Sequence, residues 1–296
     1  MRKLIYTACA LFVVMLLTAC SFSSNWHRSE MTINLTSDHI AGSAVEVRSR
    51  NGRIEVVAVP NRTDIAITAK IYARGNTMAE ASERLAASTL LISRTDDGAL
   101  LIEPSFPDPV RGGDGANILI ELPDANGATL RTSNGSVHTY GLTGTLIVDT
   151  SNGSVEILNH QGDATVDTSN GTITVDDHVG VLTVDTSNGS IRINGLDGPV
   201  NAKTSNGSIV LALHDDQGGP IDLDTSNGSI TVRVGASFAG TVTLDTSNGS
   251  LTVRDHIGRI RSQTISKNYG RIVVGEGGEA SRLDTSNGRI RFTISG

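Results

Sequence analysis

Leu146-Ile147-Val148-Asp149-Thr150-Ser151-Asn152-Gly153-Ser154-Val155-Glu156-Ile157 is the stretch on which the fold turns. Leu146, Val148 and Thr150 alternate with Ile147, Asp149 and Ser151. After Asn152-Gly153 the alternation resumes, with Val155 and Ile157 against Ser154 and Glu156. A period of two marks strands with one buried face. Asn-Gly between two such runs signals a turn, because both residues tolerate positive φ.

The same phrase recurs along the chain. Thr-Ser-Asn-Gly ends at Gly135, Gly153, Gly171, Gly189, Gly207, Gly228, Gly249 and Gly288, and a degenerate Lys267-Asn268-Tyr269-Gly270 fills the one gap. The glycines are spaced 18, 18, 18, 18, 21, 21, 21 and 18 residues apart. An antiparallel meander would also use Asn-Gly turns, but its successive turns need not be alike. A solenoid stacks each turn on the one below, so the same residue is wanted at every level. Side-chain amides then hydrogen-bond up the stack, and an inward-facing Thr can do the same with its hydroxyl. The fold expected is all-β: a single-chain β-solenoid, or β-helix, of 18- and 21-residue coils with nine glycine-marked levels. Its longer coils bring a lip at Asp215–Pro220.

Upstream the repeat is interrupted. Val45 to Val56 is coil-like and carries its own Asn51-Gly52 turn, and Ile65 to Tyr72 alternates as a longer strand. Met78, Ala81, Leu85 and Ala86 then have helical spacing, with Asn76 or Thr77 placed to cap the start. This strand and short-helix region is expected to cap one end of the solenoid, where an open stack of backbone groups would recruit other chains. The loop Pro104 to Ala116 is the longest irregular piece.

The N-terminus reads as an export signal. Arg2 and Lys3 precede an apolar run from Leu4 to Leu17, too short to span a bilayer comfortably. Leu17-Thr18-Ala19-Cys20 resembles a bacterial lipobox, which implies cleavage before Cys20 and acylation of its thiol. Residues 1–19 are thus assigned to a lipoprotein signal peptide and 20–42 to a lipidated N-terminus and polar tether. The N-terminal coil and cap take 43–123 and the repeats 124–296. Trp26, the only tryptophan, lies in the tether within reach of lipid headgroups. Cys9 leaves with the signal, so the mature chain holds no disulfide. Ser21 stands where an aspartate would retain the protein at the inner membrane. That places it on the outer membrane of a cell that has one, and in any case on the cell envelope.

The chain has 24 basic and 31 acidic residues, a net charge of −7. Losing Arg2 and Lys3 makes the balance more acidic still. This argues against nucleic acid as a partner and against docking on an anionic membrane surface.

Three sets of side chains could carry chemistry. Asp149, Asp167, Asp185, Asp224, Asp245 and Asp284 hold one position of the repeat, interrupted by Lys203. A stacked column of carboxylates is either a solvated face or a weak cation site, although the spacing lacks the nonapeptide of calcium rolls. His160, His178, His214 and His256 each follow the asparagine of their unit by eight residues. They are either exposed turn residues or ligands for zinc. Arg254, Arg259, Arg261 and Arg271 make a modest basic region. No general acid–base pair accompanies it, and no nucleophile elbow or triad spacing occurs. The expectation is therefore no enzyme, no catalytic residue, no cofactor and no metal, with Cys20 as the one modified residue.

The Ser-Asn-Gly-x-Ile/Val units, set after a strand–helix–strand region, resemble the bacterial putative-adhesin family, a domain of unknown function. The resemblance runs from about Val45 to Ser295 and implies a β-solenoid on the cell envelope. It implies no reaction and no ligand. The expected function is a non-enzymatic, lipid-anchored scaffold or adhesin that presents a rigid surface to the cell wall, a glycan or a protein. A polysaccharide-binding or polysaccharide-modifying β-helix and an accessory part in envelope-stress signalling are the alternatives.

Overall fold

The computed structural model describes residues 26–215 and 219–296. The signal segment 1–19, Cys20 and the tip of the 215–220 lip lie outside the described residues. The chain divides into two compact units, residues 1–144 and 145–296.

The second unit is a parallel β-solenoid. One sheet stacks Thr143–Thr150, Ala164–Thr168, Leu182–Thr186, Val200–Thr204 and Ile221–Thr225 in exact register, with Thr150, Thr168, Thr186, Thr204 and Thr225 in line. The other sheet stacks Val155–Gln161, Ile173–Val179, Ile191–Asp197, Ile209–Leu213 and Ile230–Val234. Their inward residues meet in a largely apolar core. Val148, Val166, Val184, Ala202 and Leu223 form one buried column, and Ile157, Val175, Ile193, Leu211 and Val232 another. A fully buried Val or Leu contributes roughly 1.5–3 kcal/mol, so the columns are the main source of cohesion.

The turn phrase is explained residue by residue. Each Asn donates its Nδ2 to the Oδ1 of the Asn one level down: Asn170 to Asn152, Asn188 to Asn170 and Asn206 to Asn188, at 2.8 to 2.9 Å. Each Thr faces inward and its Oγ1 donates to the carbonyl of a neighbouring turn glycine, as Thr186 does to Gly171 at 3.1 Å. The glycine itself differs from expectation. Neither Gly189 nor its counterparts at Gly171, Gly207 and Gly228 take a positive φ. Glycine is required because the levels touch there: a Cβ on Gly189 would lie 1.7 Å from the carbonyl oxygen of Gly171.

The upper levels do not follow chain order. Above Ile221–Thr225 lies Ala280–Thr285, and only then Gly240–Thr246. In the facing sheet Arg289–Ile294 separates Ile230–Val234 from Ser250–Asp255. The asparagine ladder confirms it, running from Asn227 to Asn287 to Asn248 at 2.9 and 3.1 Å. The Gly288 coil is thus inserted between the Gly228 and Gly249 coils. The nine-level reading is also corrected at Gly270. Tyr269–Val274 is no coil; it pairs antiparallel with Gly240–Thr246 and carries Ile260–Ile265 on its outer side. This hairpin covers a parallel edge that would otherwise stay open.

The first unit uses the same device. The Val45–Arg48 strand lies between Leu100–Ser105 and Asn126–Thr132, and Ile54–Ala58 lies between Gly115–Leu122 and Val137–Tyr140. Asn134 donates to Asn51 at 2.8 Å. Its end is closed by antiparallel strands, Asp64–Gly75 against Gly115–Leu122 and Thr89–Arg94 against Leu100–Ser105. The helix Met78–Ala86 is capped by Thr77 Oγ1, which accepts from Glu80 N at 3.1 Å, while Glu80 Oε2 accepts from the N–H of Asn76, one residue before the cap.

The tether assigned to 20–42 is corrected over most of its described length. His27–Asp38 is a strand, paired antiparallel with Asp64–Gly75 through all twelve residues. Met31, Ile33 and Leu35 supply the alternation, and Met31 is buried. Of the polar residues that read as a tether, Thr32 lies on the outward side of this edge strand, while Ser29 is buried and shares a hydrogen bond with Ser82 of the helix at 3.0 Å. Trp26 precedes the strand and is 50% exposed.

Candidate functional site

On the first sheet of the second unit register is kept from level to level, so outward side chains at one repeat position line up. On the first sheet Asp149, Asp167 and Asp185 stand in line, followed by Lys203, Asp224, Asp284 and Asp245. The column expected from the repeat is therefore present, but its last two members are exchanged by the inserted coil. Neighbouring strands are ~4.8 Å apart, so the carboxylates feel one another. Burial, and then Asp185 and Asp149, raise the pKa of Asp167. Burial and Asp284 raise that of Asp224, against Arg282 and Lys203. Asp284 is held by Arg282 at 2.7 Å. Among the described residues no group of three His, Cys, Asp or Glu is arranged to hold a metal ion.

The histidines separate into two kinds. His160 and His178 are buried, at 1% and 0% exposure, and their rings stack with centroids 5.2 Å apart and planes 14° from parallel. The cause is local. Asn159 and Asp177 adopt φ of 54° and 56°, which breaks the two-residue period and returns the next side chain to the core. Leu196 takes the same place one level up. Burial, and then the neighbouring His160, lower the pKa of His178 to about 4. His214 is half-exposed and lies 3.8 Å from Asp177, while His256 is exposed.

The four expected arginines do not converge. Arg254 faces outward on the second sheet, whereas Arg271 lies on the hairpin beside the first, in register with Thr243. Arg261 pairs with Glu276 at 3.3 Å. A different group forms instead. Arg233 and Arg254 flank Thr293, and Arg291 sits between Thr231 and Thr252, with Arg289 two residues away on the same face. Alternation places each of them outward. Their assembly was hidden because Arg289 and Arg291 come from the inserted coil.

Two concavities accompany these faces. A groove of about 280 Å³ beside the lip is lined by Val181, Pro199, Pro220 and Arg282. In the first unit a cleft of about 410 Å³ is lined by Arg48, Arg50, Glu103, Phe106 and Val110, next to the irregular loop singled out from sequence. That loop is anchored by Asp114, which is fully buried. Its carboxylate accepts from Arg84 Nη2 at 2.6 Å and from the backbone N–H groups of Arg74 and Arg111 at 2.9 Å.

A body of stacked parallel coils in repeated register, closed by antiparallel strands, defines a β-solenoid with an apolar core and polar outward faces. The chain belongs to the Toastrack DUF4097 family, whose model matches residues 10–293. Among solved structures it is similar to a putative adhesin from Bacteroides fragilis NCTC 9343, at 13% identity and a TM-score of 0.43, covering 89% of this chain and 97% of that one. It is also similar to a putative cell adhesion protein from Clostridium sporogenes ATCC 15579, at 9% identity and a TM-score of 0.22, covering 90% of this chain and 100% of that one. No curated protein matches the chain.

Proposed function

We propose that this protein is a non-enzymatic scaffold of the bacterial cell envelope, anchored by lipid at Cys20, whose solenoid body binds a partner through its outward sheet faces in the manner of an adhesin. The observation that carries the reading is the register. Asp149, Asp167 and Asp185 repeat one charged group at each level, so a long or repetitive partner meets the same chemistry several times. Such repetition multiplies weak contacts without a deep pocket. The acylated cysteine supplies membrane attachment, and lipoprotein processing adds the two or more chains that stable anchoring requires.

The anchor is tested by metabolic labelling with a clickable palmitate analogue in cells producing the wild-type chain or Cys20→Ala. Label on the wild type and none on Cys20→Ala is the expected outcome. Equal labelling of both, or none of either, contradicts the anchored reading.

A further inference from the structure

We infer that the outer face formed by Ile230–Val234, Arg289–Ile294 and Ser250–Asp255 is a docking surface for a linear acidic polysaccharide. Arg233, Arg254, Arg289 and Arg291 share this face. Among the described residues none of the four makes an ion pair, in a chain whose net charge is −7. Four unneutralised guanidinium groups on an acidic protein are a local reversal of sign that favours an anionic partner. Arg291 is half-buried, and its Nε is shielded from water without a hydrogen-bond partner. Asp255, the nearest acid in sequence, is already committed. Burial works against its charge, but the N–H groups of Ile260, Ile257 and Gly258, at 2.8, 3.1 and 2.8 Å, hold its pKa below the usual value.

The spacing fits a chain of anions. Strands are ~4.8 Å apart and alternate residues ~6.7 Å apart along a strand. The Cα atoms of Arg233 and Arg254 are therefore about 10 Å apart, with Arg291 about 8 Å from each. Guanidinium groups bind carboxylates through paired N–H donors. Between them lie only hydroxyl side chains, Thr231, Thr252, Thr293 and Ser250, which suit sugar oxygens. The face carries no aromatic ring on which bases could stack and no apolar side chain to enter a bilayer. Those absences favour a glycan over nucleic acid or lipid.

The inference rests on the scaffold reading, yet it fails separately, because palmitate labelling of Cys20 does not depend on this face. The test is titration of the full chain in detergent with a long oligogalacturonate, at low and moderate salt. Wild type is expected to bind, with affinity falling as salt rises. Arg233→Ser/Arg254→Ser should weaken binding about tenfold, roughly the loss of two exposed ion pairs, and lower the slope of log K against log salt by about 1.4. Arg233→Lys/Arg254→Lys should retain the salt slope while losing part of the affinity, so the charge reading survives even if the Ser pair folds poorly. Arg192→Ser, exposed on the same sheet outside the cluster, should change nothing. Three results would overturn the inference: no binding by wild type, equal weakening by Arg192→Ser, or displacement of the oligogalacturonate by single-stranded DNA or short-chain phosphatidylglycerol at lower charge concentration.

Discussion

His178 shows how one backbone angle redirects chemistry. Its alternation with Ile173 and Val175 would place it outward, but Asp177 at a φ of 56° turns it into the core against His160. A single-sequence reading of period misses this, because Asn159 and Asp177 give no signal stronger than that of any turn residue. The energetic consequence has a definite sign. The folded-state pKa of about 4 lies below the ordinary 6.5, so the unfolded chain binds the proton more readily. The contribution of His178 to stability is therefore complete above pH 6.5 and is lost as pH falls toward 4, by roughly 3 kcal/mol. Leu196 already fills the equivalent position, so His178→Leu should fold. Melting temperatures at pH 7.5 and 4.5 should fall further for wild type than for His178→Leu. Equal falls would contradict the assignment.

At the scale of elements, the helix and the irregular loop are held together by one buried ion pair. Arg84 Nη2 reaches Asp114 at 2.6 Å and also the carbonyls of Pro107 and Pro109 at 3.3 and 3.0 Å. The helix was legible from Ala81 and Leu85, both buried. The role of Arg84 was not, because a charge on a helix next to an apolar stripe reads as solvated. Removing one member of a buried pair leaves the other uncompensated, at about 3–5 kcal/mol. Arg84→Met should lower the melting temperature and open the 104–116 segment to protease, while Arg53→Met, whose partner Glu55 is 3.9 Å away and exposed, should do neither. Resistance of the 104–116 segment in Arg84→Met would show that the pair does not hold the loop. The strand His27–Asp38 teaches the converse lesson. Met31, Ile33 and Leu35 carried its alternation, but Thr32 on the outer side and Ser29, polar yet buried beside Met31, made the stretch resemble a linker, since an edge strand is polar on its outer side.

For the whole molecule, the architecture was legible and the order of its coils was not, for the same reason. Thr-Ser-Asn-Gly specifies that a coil stacks on its like, through Asn to Asn, Thr to Gly and Gly against Gly. Identical phrases say nothing about which coil is the neighbour. The Gly288 coil satisfies the Gly228 coil as well as the Gly249 coil does, and placing it between them leaves the hairpin Ile260–Ile265 and Tyr269–Val274 to close the stack. The arginine face follows from that choice, since Arg289 and Arg291 are carried on the inserted coil. A disulfide decides the matter most directly. Ser226 and Ser286 follow Thr225 and Thr285, which are paired in register, so their Cα atoms are about 5 Å apart, within disulfide range. Ser226 and Ser247 are two levels apart, about 10 Å, which is out of range. In a chain with Cys9 and Cys20 changed to Ser, oxidation should cross-link Ser226→Cys with Ser286→Cys and leave Ser226→Cys with Ser247→Cys reduced. The reverse pattern, closure of the 226–247 pair with the 226–286 pair open, would mean that the coils stack in chain order and that the inserted coil does not exist.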